Sequence, residues 1–353
     1  MSSARRERLR EKLGGAWALF VDQESIYYLT NFSGSNGTLL IAPDSQNDFL
    51  FTDARYRERV KKLDQGLNVS ITADLNKLLK DTLAKSKEIL IDGDLISAAK
   101  AQQLKEILPG VNVKLTKNLL TDLRIIKDLD EIAHIKKACE ITSQSLWYLI
   151  NDLRPNMSER QIAKKFWQNA LERGADDLAF TSIVASGENS ASPHHEPSTR
   201  LLEIGDAVTI DCGVKLNGYH SDMTRTVFIG KTQSWQVEIY EVVMQAHKKA
   251  ATESLVGQTA GEVDALARDV ISAAGFGEYF IHGTGHGVGL EVHEAPILSK
   301  SNHTKIEENF CFTIEPGIYL PGQGGVRIED TCILEASGLR ILTKGSHEIV
   351  CVG

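Results

Sequence analysis

No run in this chain approaches the ~18 consecutive apolar residues of a membrane-spanning helix. Its start, Met1 to Lys12, carries Arg and Glu where an export signal would carry an apolar stretch. The cysteines are few and scattered: Cys139, Cys212, Cys311, Cys332 and Cys351 are odd in number and form no CxxC pair. This excludes a disulfide framework and a thiolate zinc site, and points to a reducing cytoplasm. Basic charge is also short, with 39 Lys and Arg against 47 Asp and Glu for a net charge of -8. A nucleic-acid or anionic-membrane partner needs a basic face, so small ligands are expected instead. Nor is there a second histidine at the zincin distance from His195-Glu196 or His293-Glu294, which argues against a helix-borne mononuclear zinc protease.

What is present is an ordinary globular composition, 353 residues at 42% hydrophobic and 24% charged, enough for about two domains. The first part alternates strands and helices. Residues 16–21, 38–41, 49–52 and 89–92 are short β-branched or aromatic runs, whereas 75–84 and 98–108 have helical spacing. Gly34-Ser35-Asn36-Gly37 and Pro43-Asp44-Ser45 are turn chemistry. An α/β domain over 1–123 is expected. A long helical pattern over 128–153, ended by Pro155, opens a second domain over 124–353. Within it, 158–174 and 261–275 have helical spacing and each precedes an acidic hairpin. Asp211 and Glu315 are 104 positions apart and Asp222 and Glu329 are 107 apart, which suggests two related halves.

The hairpins place four acids. Residues 208–214 and 220–229 flank Leu216-Asn217-Gly218, a strong turn signal. A turn centred on Leu216 and Asn217 sets Asp211 opposite Asp222; one centred on Asn217 and Gly218 sets Asp222 opposite Gly213. Period-two alternation keeps both acids on one face either way. In the second hairpin, a turn centred on Gly322 sets Glu315 opposite Glu329, with Arg327 on the same face. Facing like charges weaken a bare hairpin. A solvated face is the usual fate of such acids, but the apolar flanks Ala207-Val208-Thr209-Ile210 and Phe312-Thr313-Ile314 speak for burial. Asp211, Asp222, Glu315 and Glu329, joined by His286, can therefore converge on one pocket holding two divalent metals, because packed carboxylates stay ionised only beside strong positive charge.

The segment His282-Gly283-Thr284-Gly285-His286-Gly287-Val288-Gly289 disfavours a helix and permits close approach of backbone to a ligand or metal cluster. His282 and His286 share a face. In Pro193-His194-His195 adjacent side chains point oppositely, so only one histidine can face the pocket, and spacing does not choose.

Together, Asp211-Cys212-Gly213, Ser221-Asp222-Met223-Thr224-Arg225, the His282 to Leu290 segment, Thr313-Ile314-Glu315-Pro316-Gly317-Ile318-Tyr319 and Gly325-Val326-Arg327-Ile328-Glu329-Asp330 resemble the pita-bread metallopeptidases, in the Xaa-Pro aminopeptidase and prolidase branch. The likeness extends to Tyr28-Leu29-Thr30, Gly34 to Gly37 and Phe51 to Tyr56, which resemble the creatinase-like module preceding that catalytic domain. It implies a creatinase-like α/β domain followed by an α+β pita-bread domain with a pseudo-twofold internal repeat. One metal would be held by Asp222, His286, Glu315 and Glu329, and the other by Asp211, Asp222 and Glu329. Mn²⁺ is the first expectation, with Co²⁺, Fe²⁺ or Zn²⁺ compatible with the same donors.

The resemblance further implies attack by a metal-bridging hydroxide, with Glu315 shuttling the proton and His194 and His293 stabilising the tetrahedral intermediate. His282, Tyr319 and Arg327 would shape the pocket for the proline ring. The family carries Gly after its first histidine, where this chain has His195, and Cys212 is expected to point away from the metals. The implied substrates are small proline-containing peptides, and the implied assembly is a homodimer. Gly34 to Gly37 and Thr52 to Tyr56 favour an Xaa-Pro aminopeptidase, with prolidase, acting on dipeptides only, as the alternative. An inactive binding module of the same fold would have lost ligands, and this chain keeps all five.

Overall fold

The computed structural model describes residues 2–63 and 66–353, so that Met1, the first residue of the charged start, lies outside the described residues. The chain divides into two compact units, Met1–Arg124 and Ile125–Gly353.

The first unit is built on one six-stranded sheet. Its strands are β1 (Trp17–Phe20), β2 (Gly37–Ile41), β3 (Phe49–Thr52), β4 (Asn68–Ile71), β5 (Glu88–Asp92) and β6 (Asn112–Thr116), in the order β4-β3-β2-β1-β5-β6. The central strands are buried almost continuously, as in Leu39-Leu40-Ile41, which is the pattern of a sheet covered on both faces. The edge strands β4 and β6 carry Asn, Ser and Lys and are half exposed, which is why the hydrophobic pattern does not reveal them. The charged start is a helix, Ser2–Lys12. Its Arg6 and Arg10 both reach the buried Asp48, at 3.0 and 2.8 Å, so these two charges are structural and face inward.

The second unit repeats one plan twice. A helix pair, Leu129–Asn151 and Glu159–Glu172, precedes the strands Ala207–Cys212 and Met223–Ile229; a second pair, Ser234–Glu253 and Ala260–Ala273, precedes Cys311–Ile314 and Asp330–Glu335. Three of these helices start with a capping box on an Asp, Ser or Thr, at Asp128, Ser158 and Thr259. Helix Ser234–Glu253 escapes the sequence reading because it follows Gln233, with no Ser, Thr, Asp or Asn cap, and buries alanines where a strong periodic signal needs larger residues. Each pair packs on its own hairpin. Ile162 and Phe166 meet Val184, Val208 and Val227 on one side, and Val243 and Val263 meet Phe312 and Ile328 on the other. The acidic faces are thereby left pointing away from both helix layers, toward the seam between the halves.

The first hairpin turns on Asn217 and Gly218, both at positive φ (49° and 81°), with Leu216 opposite Tyr219. This mirror-type turn matches strand twist and needs residues that tolerate that backbone region. It sets the second of the two sequence registers: Thr224 pairs with Asp211, and Asp222 sits just before the paired strand rather than opposite Asp211. The second hairpin keeps one register on both sides of a break, Ile314 facing Asp330 and Gly317 facing Arg327. Glu315 and Glu329 occupy the break. Among the described residues no helix is long and apolar enough to cross a membrane.

Phe166 is fully buried in the first helix layer whereas Leu129 is 78% exposed. Phe166→Ala should cost about 3–5 kcal/mol in denaturant unfolding of the catalytic unit. Leu129→Ala should stay within about 0.5 kcal/mol of the parent, and equal effects would contradict this packing.

Candidate metal centre

The two hairpins belong to different sheets and are stitched together by threonines. Thr331 Oγ1 donates to the carbonyl of Asp222 at 2.7 Å and accepts from its amide at 3.0 Å. Thr224 Oγ1 donates to Glu329 Oε2 at 2.6 Å, and Arg225 donates to the Glu329 carbonyl at 2.6 Å. Thr226 Oγ1 donates to the Arg327 carbonyl at 3.0 Å and accepts from the Arg327 amide at 3.1 Å. These bonds fix carboxylates from both halves at the seam.

His286 comes from the glycine-rich segment, of which Gly285–Gly287 forms a short strand. The glycines there answer a packing need. A Cβ on Gly285 would lie 1.9 Å from the Thr313 carbonyl oxygen, and one on Gly287 would lie 2.1 Å from that of Ala295. Neighbouring strand backbone fills the space a side chain would take at these two glycines, and Gly285 also lines the cavity that opens on the carboxylates. His286 Nε2 lies 3.6 Å from Asp222 Oδ2 and 3.4 Å from Glu315 Oε1. Donor atoms of Asp222, His286 and Glu329 all fall within 4.8 Å of one another. Asp211 joins through Arg327, whose Nη2 donates to its Oδ2 at 2.7 Å.

The donor set fits a divalent ion. Asp211 Oδ1 and Asp222 Oδ1 are both buried without a hydrogen-bond partner, an arrangement that is costly unless a cation takes the free oxygen. Burial, with the neighbouring charges of Glu329 and Asp211, pushes the Asp222 carboxyl well up. Burial and the charges of Glu315 and Asp211 do the same to Glu329, and burial raises Glu315. Burial also holds His286 below the usual imidazole range, so it is a neutral donor. Four carboxylates and one neutral imidazole have the chemistry of a site for divalent first-row metals.

A cavity of about 1270 Å³ opens on this cluster and is walled by His194, His195, His282, His293, Arg327 and Ile297, among others. His293 stacks edge-on against His286, with ring centroids 4.3 Å apart. His282 Nε2 pairs with the Tyr319 hydroxyl at 2.8 Å, and Arg327 Nη1 donates to that hydroxyl at 2.9 Å. These three side chains form one chain ending at Asp211. Cys212 is fully buried in the hydrophobic core behind the strand.

His195 is committed elsewhere. Its Nε2 pairs at 2.8 Å with Glu159 Oε2, a fully buried carboxylate at the start of helix Glu159–Glu172. Glu159 also accepts from Ser186, Asn189 and Ser198. Burial alone would raise this acid, but hydrogen bonds from Asn189, Ser198, His195 and Ser186 outweigh it and pull the pKa to about 2. Residues that hold the site without a motif of their own were not legible in the sequence. Besides the threonines and Glu159 they include Asp264, whose Oδ1 accepts from the amide and hydroxyl of Thr284, and Arg268, which donates to the His282 carbonyl. The i,i+4 pairing of Asp264 with Arg268 was the one available signal.

Comparison with known proteins bears on this geometry. The profile of metallopeptidase family M24 matches residues 133–336, and that of the Creatinase/Prolidase N-terminal domain matches residues 5–126. The Xaa-Pro dipeptidase of Pyrococcus furiosus is 37% identical over 326 residues, 92% of each chain. Among solved structures, the Xaa-Pro dipeptidase from Bacillus anthracis superposes with a TM-score of 0.95 at 34% identity, covering 100% of both chains. The X-Pro aminopeptidase from Thermotoga maritima gives 0.92 at 33% identity, covering 98% of this chain and 100% of its own.

The raised carboxyls set a sign for stability. A carboxyl whose folded pKa lies above its unfolded value of 3.8 favours folding at low pH, and that contribution is lost as pH rises toward the folded pKa. In metal-free protein, Asp222→Asn should match the parent near pH 4. Above that it should become more stable by on the order of 1 kcal/mol per pH unit, until the parent acid ionises. The same variant should bind Mn²⁺ or Co²⁺ more weakly. Thermal unfolding across pH and calorimetric titration check both; unchanged stability together with unchanged uptake would rule out charge crowding at Asp222.

Proposed function

Because the chain belongs to metallopeptidase family M24 and carries a creatinase/prolidase-type N-terminal domain, we propose that it is a two-metal Xaa-Pro dipeptidase, cleaving the bond before proline in dipeptides. The observation that carries the metal-dependent part is the pair of buried, unpartnered oxygens on Asp211 and Asp222 inside a cluster of four carboxylates and His286. The dipeptide preference is supported by the names of relatives that span this chain nearly end to end, in Pyrococcus furiosus and Bacillus anthracis. They favour the prolidase reading over the aminopeptidase reading that the N-terminal motifs suggested.

In this reading Asp222, His286, Glu315 and Glu329 hold one ion and Asp211, Asp222 and Glu329 the other, Mn²⁺ being the first candidate. When bound, the ions supply a water acidified enough to react near neutral pH and a charge that polarises the scissile carbonyl. The remaining work belongs to side chains. Glu315, whose proton affinity burial raises, takes a proton and returns it to the leaving imino nitrogen. His293, which burial keeps neutral, and His194 donate hydrogen bonds to the oxyanion from the cavity wall. His282, Tyr319 and Arg327, already locked to one another, form a rigid wall for the proline ring. An Xaa-Pro bond has no N–H, so a site that recognises the ring gains what a strand-pairing protease loses.

A second reading, an Xaa-Pro aminopeptidase acting on longer peptides, is favoured by the cavity. Its volume of about 1270 Å³ exceeds the roughly 300–1,000 Å³ of ordinary small-ligand sites, and leaves room beyond proline.

Metal-loaded protein should hydrolyse an Xaa-Pro dipeptide with kcat/KM at least about tenfold above that for the matched Xaa-Pro-Yaa tripeptide. The reverse order establishes the aminopeptidase reading, and turnover of neither removes the Xaa-Pro assignment. Glu315→Gln should lower kcat by about 10²-fold or more, with Mn²⁺ uptake reported separately by titration.

A further inference from the structure

Behind the seam lies a second cluster of ligand-type side chains that the peptidase chemistry does not use. Asp330 follows Glu329 as the first residue of the strand Asp330–Glu335, and its side chain joins a different set of partners from the carboxylate cluster. It is fully buried, and its two oxygens have different company. Oδ1 accepts from Arg225 Nη2 at 2.9 Å and from Thr343 Oγ1 at 2.6 Å. Oδ2 is left to two imidazoles, with His347 Nε2 at 2.6 Å and His247 Nε2 at 3.0 Å.

The bland account is that both imidazoles donate to Oδ2. It suffices for His347, whose contact is an aligned hydrogen bond. For His247 it is incomplete: the buried Nε2 lies 3.0 Å from Oδ2, within hydrogen-bonding reach but out of line for a hydrogen bond, on a side chain only 3% exposed. Two ring nitrogens that converge on one carboxylate oxygen, the buried one poorly aligned to donate to it, need only a small outward shift to share an ion with it. The three donor atoms lie within 4.8 Å of one another, and the two rings are tilted at 40° with centroids 4.8 Å apart. Arg225 grips the far oxygen and so holds the carboxylate in place; its charge weakens the site without blocking Oδ2.

We propose that His247, Asp330 and His347 form a separate site for one divalent transition ion of the Zn²⁺ class, distinct from the dinuclear centre. Two imidazole nitrogens and one carboxylate oxygen are the donor set that Zn²⁺ takes with a water in the fourth position. That water has a route in past His347, whose side chain is 31% exposed. The three ligands come from the helix Ser234–Glu253, the strand Asp330–Glu335 and the segment after it. The ion therefore ties the C-terminal segment to the helix layer of the second half. The site does not depend on which peptide the enzyme cleaves.

The test is Zn²⁺ content per chain, measured by atomic emission after chelator stripping and equilibration with micromolar Zn²⁺, in four full-length proteins: parent, His347→Gln, Asp222→Asn and the double variant. Glutamine keeps a donor for Asp330 but cannot replace imidazole as a zinc ligand, so it separates the metal role from the hydrogen-bond role. His347→Gln should bind one equivalent less than the parent, and the double variant one less than Asp222→Asn. The Zn²⁺-induced rise in melting temperature of the Asp222→Asn protein should shrink with it. Equal zinc content with and without His347→Gln, in both backgrounds, overturns the proposal. His247→Gln gives an independent second reading from the buried side, with the same loss expected.

Discussion

Four ionisable carboxylates gathered at one buried seam dominate the catalytic unit, and the structure around them is organised to tolerate that crowding. Two unit charges 4 Å apart repel by about 4 kcal/mol at the effective dielectric of a protein surface, and more where water is excluded. One arginine, Arg327 on Asp211, cannot neutralise the set. The cluster then has two stable conditions, partial protonation, which the raised carboxyls of Asp222 and Glu329 express, or bound dications. A family of metallopeptidases uses the second.

Holding such a cluster together is a task for uncharged groups. Thr224, Thr226 and Thr331 bond across the seam to carboxylate, amide and carbonyl partners, each bond worth about 1 kcal/mol net. The larger contribution comes from the helix layers, where a fully buried side chain such as Phe166 or Val263 is worth roughly 1.5–3 kcal/mol. Repetition of one helix-and-hairpin plan is what creates a seam at all. Each half buries its apolar hairpin face under its own helices and turns the polar face to its counterpart. The carboxylate cluster is thus a product of symmetry between halves, and neither half contains it alone.

The cavity wall shows the same division between groups that face the cavity and groups that position them. His194 and His195 are neighbours with opposite fates. His195 is anchored on Glu159, at a helix start where a carboxylate is favoured by the helix dipole, and His194 is presented to the cavity. His195 is therefore used to brace the loop that carries its neighbour.

Much of this was legible in the chain itself. Alternating apolar positions and the Asn217-Gly218 turn determined the hairpins, and period-two geometry put Asp211 with Asp222 and Glu315 with Glu329 on common faces, because these are local rules. Spacing and identity of the acids, with His286, pointed to an oxygen-rich donor set for divalent ions. The register of the first hairpin, the helix Ser234–Glu253 and the half-exposed edge strands were decided only by tertiary structure, since their local signals are weak or ambiguous. So were the neutral threonines that stitch the seam, the orientation of His195 toward Glu159, and the meeting of His247 with Asp330 and His347. Those contacts join residues up to 109 positions apart, as Asp222 and Thr331 are, and no local pattern in a sequence records which distant neighbour a side chain will meet.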